Sequence, residues 1–80
     1  MEVELELAER QLTLVKDFIT AALKQSEAMF ELATKDYERI QELLKRGSAS
    51  LEDAEIKRAK LLDAEGRMKQ LKSVAALAGK

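Results

Sequence analysis

A single interruption governs what this chain can become. Its 80 residues contain no proline and three glycines (Gly47, Gly66 and Gly79), and only around Gly47 do helix-stopping residues gather. Proline removes a backbone donor and clashes with the preceding turn, whereas an isolated glycine only weakens a helix. The run Arg46-Gly47-Ser48-Ala49-Ser50 therefore predicts one stop and one restart. It turns an otherwise continuous rod into a hairpin.

Composition supports long helices. The chain is 36% charged and 46% hydrophobic with 4% aromatics, and its dominant Ala, Leu, Glu and Lys lose little rotamer freedom in a helix. The net charge of −1 comes from interleaved signs, so there is no basic field to attract phosphate backbones, which argues against nucleic acid as a partner. With no cysteine and no histidine, disulfides are excluded and a transition-metal site has poor material; no cofactor is expected. No 18-residue apolar run is present, so this segment is not expected to insert into a membrane. Nor is there a nucleophile with a base or a Gly-rich phosphate loop, and the chain reads as a non-enzyme.

The expected fold is all-α, one domain over 1–80: a helix over about 3–46, a turn at 47–50 and a second helix over about 51–77. In the first helix Leu5, Ala8, Leu12, Val15, Ile19, Ala22, Ser26, Met29 and Ala33 recur in alternating three- and four-residue steps, the apolar seam of a coiled coil. The stripe then slips by one residue to Tyr37, Ile40 and Leu44, a stutter that would locally unwind the supercoil. Further apolar stripes run through Leu14, Phe18, Ala21, Ala28 and Leu32, and through Leu23, Phe30 and Tyr37. A helix apolar over so much of its circumference expects neighbours on more than one side. Leu14, Phe18, Leu23 and Phe30 are accordingly the candidate oligomer interface, and a homo-oligomer or larger bundle is expected.

Gly47 suits the left-handed residue that closes a helix. Ser50 suits the N-cap of the next, with Asp53 at the reciprocal capping-box position; Ser48 is a weaker rival for the cap. The second seam reads Leu51, Ala54, Arg58, Leu61, Ala64, Met68, Leu71, Ala75 and Ala78. At 1.5 Å per residue the first helix outruns the second, leaving about 15 N-terminal residues uncovered. A second copy of the chain, or a longer second helix in a larger parent, would cover them.

The tip carries one further pattern: Tyr37-x-Arg39-x-x-x-Leu43-x-x-x-Gly47-x-x-Ser50-x-x-Asp53. It resembles the tip of the α-helical hairpin in HlyD-like periplasmic adaptors, the membrane fusion proteins of tripartite efflux pumps and type I secretion systems. The resemblance rests on Arg39, Leu43 and Ser50 at the family's spacing, with Tyr37, Gly47 and Asp53 as supporting positions. It implies a periplasmic hairpin, part of an inner-membrane-anchored parent, whose tip docks onto a TolC-type outer-membrane channel. Arg39 would then donate hydrogen bonds to channel carbonyls or acids, Leu43 would insert as an apolar plug, and Ser50 would contact the channel while capping the second helix. The N-terminal MEVELELAER is acidic where a secretory signal would be basic. Lipoyl and β-barrel sequences usually flank such hairpins and are not in this sequence, so the resemblance reads the chain as an excised segment. The competing expectation is a structural coiled-coil oligomerisation module with no transport role.

Overall fold

The computed structural model describes residues 2–79: helix α1 (Glu2–Lys45) and helix α2 (Leu51–Ala78). The two helices pack along each other as an antiparallel hairpin measuring 69 × 15 × 14 Å. The expected all-α hairpin is the observed one. Glu2 and Glu4 occupy the first turn of α1 and Lys45 its last, each complementing the helix dipole. Hydroxyl residues inside the helices do not compete with the backbone ladder. Thr13, Thr20, Thr34 and Ser73 each donate to the carbonyl four residues earlier, at 2.8–3.1 Å, which satisfies the hydroxyl without breaking the helix.

The only cover available to α1 is α2, so burial along α1 marks the side that faces its partner. The larger apolar side chains that are half-buried on α1 are Ile19, Leu23, Phe30, Tyr37, Ile40, Leu43 and Leu44; apart from Leu43 they form one stripe, joined by the buried Ser26 and half-buried Ala33. From Leu23 onward their steps alternate three and four without a slip. The seam therefore differs from the expected one: Phe30 replaces Met29, which is 54% exposed, and the stutter between Ala33 and Tyr37 does not occur. Filling the seam with the larger, stiffer ring removes the need to change register.

On α2 the covered stripe is Ala54, Lys57, Leu61, Ala64, Met68, Leu71, Ala75 and Ala78, with Glu65 beside it also half-buried. Lys57 rather than Arg58 holds the polar place in this stripe, and Leu51, at the first helical position, is 70% exposed. A lysine tolerates such a place because its aliphatic stem covers apolar surface while the ammonium reaches water.

This hairpin is unfinished as a monomeric fold. Among the described residues no hydrophobic side chain is fully buried, and the single buried residue is Ser26, whose Oγ donates to the Leu23 carbonyl at 2.7 Å. The chain exposes 6671 Å², where a compact protein of 9.0 kDa would expose about 4,900 Å². Its radius of gyration is 19.0 Å against about 12 Å for a globular chain of this length. With 44 residues in α1 and 28 in α2, about 16 residues of α1, roughly 24 Å, project beyond their partner. Residues 2–18 are exposed throughout.

The glycines separate by conformation. Gly47 has φ +75°, whereas Gly66 is helical, and a Cβ at either would meet nothing within 4 Å. We expect Gly66→Ala to raise stability by about 0.5–1 kcal/mol through helix propensity. Gly47→Ala should lower it by about 1 kcal/mol, because an L side chain resists the left-handed backbone. Thermal melts of both variants against the parent, read by circular dichroism, check the opposite signs.

Candidate functional site

The closed end of the hairpin is built from backbone hydrogen bonds. The Arg46 N–H donates to the Glu42 carbonyl at 3.2 Å, Gly47 N–H to Leu44 at 3.1 Å and Ser48 N–H to Leu43 at 2.8 Å. The last two bonds form a Schellman motif, which absorbs carbonyls that α1 would otherwise leave unpaired. Three residues later Ser50 adopts extended backbone (φ −94°, ψ 162°) and caps α2. Its hydroxyl accepts from the Asp53 N–H at 3.1 Å, and its own N–H donates to Asp53 Oδ2 at 3.2 Å. Both ends of the turn are thus fixed from within the chain.

This turn sets where the tip residues lie. Arg39 and Leu43 are four apart on α1 and so share one side of it, within the last two turns before the stop. Arg39 and Ser50 are exposed, and Leu43 is half-buried. Tyr37 is half-buried in the seam, while Gly47 and Asp53 are exposed at the turn. The ion pairs among the described residues are Lys35–Glu31 at 3.3 Å, Arg67–Asp63 at 3.3 Å and Lys69–Glu65 at 2.7 Å. Arg39 takes part in none of them. Arg39 lines a shallow depression with Lys35, Glu38, Gln41, Glu42 and Lys45, and its guanidinium has donors free for an external acceptor. The Ser50 hydroxyl keeps its own O–H after accepting from Asp53.

The four residues expected at an oligomer interface divide between two faces. Leu14 and Phe18 are 68% and 75% exposed, whereas Leu23 and Phe30 are half-buried in the seam. Leu14, Phe18, Ala21, Ala28 and Leu32 form a stripe roughly 140° around α1 from the α2-facing seam, with Leu32 at its edge also lining the groove between the helices. That stripe is exposed along its whole length. A helix with apolar residues on opposite faces has one face to spare after pairing once.

A groove of about 480 Å³ also runs between the helices, lined by Ala22, Gln25, Ser26, Met29, Leu32, Ala33, Ala64 and Leu71 and rimmed by Asp36, Lys57, Lys60, Asp63 and Arg67. Spacing had marked several of these only as seam positions. The signal for a groove was their small size, since Ala22, Ser26, Ala33 and Ala64 all line it and leave space between the helices. No group of three or more metal-ligating side chains occurs among the described residues. No described helix is long and apolar enough to cross a membrane.

Comparison of the chain with protein-family models, curated proteins and solved structures finds no match.

Proposed function

We propose that this chain is the hairpin segment of a HlyD-like periplasmic adaptor, with a binding rather than catalytic role, whose tip docks onto a TolC-type outer-membrane channel. The observation carrying the reading is that Arg39, Leu43 and Ser50 belong to one closed end, set by the Gly47 stop and the Ser50 cap. Arg39 and Ser50 are accessible there, and Leu43 keeps part of its surface open. Each side chain has a role that fits a helical partner: a guanidinium fork for carbonyls or carboxylates, a small apolar anchor, and a hydroxyl at a tight turn. A length of 69 Å suits a segment that reaches across space to a partner. In this reading the segment works in the periplasm as part of an anchored parent.

The test is retention of the chain on an immobilised TolC-type channel. Arg39→Asp reverses the charge at the tip and should lower retention at least tenfold, the scale of losing one charge-assisted contact and adding repulsion. Equal retention of parent and variant would rule out docking through this tip.

A structural oligomerisation module is the second reading, favoured by the exposed apolar residues and the extended shape. These features point to self-association whether or not the tip binds a channel.

A further inference from the structure

We propose that the exposed back of α1 is a homodimer face, on which a second copy packs its own α1 antiparallel and in one register. This dimer does not use the tip residues and, because it sets the two tips at opposite ends, it goes with the oligomerisation module more readily than with an anchored adaptor.

The surface to be covered is the first argument. The chain exposes 6671 Å², roughly 1,800 Å² more than a compact protein of its mass. A specific interface needs about 800 Å² per partner. The exposed stripe is also continuous with the uncovered N-terminal part of α1, where Leu7 is 52% exposed and Leu14 68%.

The order of residues along the stripe selects the direction. In an antiparallel pair with its two-fold axis between Ile19 and Thr20, Phe18 lies against Ala21 of the second copy and Leu7 against Leu32. Between them Leu14 meets Gln25 and Gln11 meets Ala28. Large residues therefore oppose small ones near the axis, and the leucines close the ends. A parallel pair would instead stack Phe18 on Phe18 and Ala21 on Ala21, leaving gaps that packed interfaces do not tolerate.

Charge selects the register. With that axis, the flanking column of α1 sets Arg10 beside Glu31 of the second copy and Asp17 beside Lys24. Glu4 reaches Lys35, which already pairs with Glu31 at 3.3 Å, so the ends of the interface join a small ionic network. Each of these pairs occurs twice by symmetry. Sliding the helices by one heptad in one direction sets Lys24 on Lys24 and Asp17 on Glu31; in the other it sets Arg10 on Lys24. The parallel arrangement brings Glu31 to Asp36. Only one alignment is free of like-charge neighbours, which is how coiled coils specify partner and orientation. On the remaining flank Val15 meets Ala22 and Ala8 meets Met29, extending the apolar contact.

The resulting dimer has α1 and its copy in the middle, α2 and its copy outside, and the two tips at opposite ends. Arg39 and Ser50 lie outside the interface, so failure of this proposal and failure of channel docking are separate outcomes.

The experiment is sedimentation equilibrium on the full chain. The parent should sediment as a dimer of the 9.0 kDa chain. Lys24→Glu and Asp17→Lys, both at exposed positions, should each weaken dimerisation roughly tenfold by creating two like-charge pairs. An equimolar mixture of the two variants should recover the parent affinity as a heterodimer, since each then offers the other the opposite charge. A purely structural effect of either substitution would not be rescued by mixing. A monomer at every concentration would overturn the proposal, and so would an oligomer indifferent to both substitutions or a mixture no tighter than the single variants.

Discussion

Phe18→Glu is expected to convert the self-associated chain to monomer while leaving its hairpin contacts in place. Phe18 is 75% exposed on the face of α1 turned away from α2, so nothing within the hairpin depends on it. Across a two-fold interface, one substitution removes two aromatic anchors and buries two carboxylates beside apolar neighbours. Truncating an anchor of this kind commonly costs about 2 kcal/mol or more, and the loss here is doubled by symmetry. The dissociation constant should rise by on the order of 100-fold or more. Sedimentation across a concentration series measures it. A dissociation constant equal to that of the parent would place the interface elsewhere on the molecule.

Phe30→Ala should act in the opposite way, on the hairpin itself. Phe30 supplies a wholly apolar aromatic ring to the α1 seam and is half-buried there. Fully buried phenylalanines lose roughly 3–5 kcal/mol on truncation, so a half-covered ring should lose about 2 kcal/mol. For a chain with no fully buried hydrophobic side chain among its described residues, that is a large part of the total. Circular dichroism during heating, at fixed protein concentration, is the measurement. A melting curve superimposable on the parent would mean that Phe30 does not hold α2. The two phenylalanines thus separate association from folding.

The contrast between them also marks how far the sequence could be read. The turn was legible because its chemistry is local: Gly47 takes the positive φ, and Ser50 and Asp53 make the reciprocal cap that their spacing announces. The seam of α1 was only partly legible. Met29 and Phe30 are both apolar and lie about 100° apart on the helix, so spacing allows either to face inward. The position of α2 decides between them. Leu23 was assigned to an outer face for the same reason. On α2, Arg58 and Lys57 pose the same choice between adjacent long cations, and the unbroken three–four rhythm from Ala54 to Ala78 favours Lys57. At the tip, the exposure of Arg39 and the partial cover of Leu43 depend on α2's path, which no local signal specifies. The groove beside Ala33 and Ala64 was hidden because small residues announce close approach without saying what space remains beside it.

The scarcity of interior in this molecule has a calorimetric consequence. Melting a single hairpin hydrates little new apolar surface, so the heat-capacity step should be small and the transition broad. Association would change both. The midpoint would climb with protein concentration as mass action favours the assembled state, and the transition would sharpen as more surface is released together. For such a chain, a melting temperature has meaning only beside the concentration at which it was recorded.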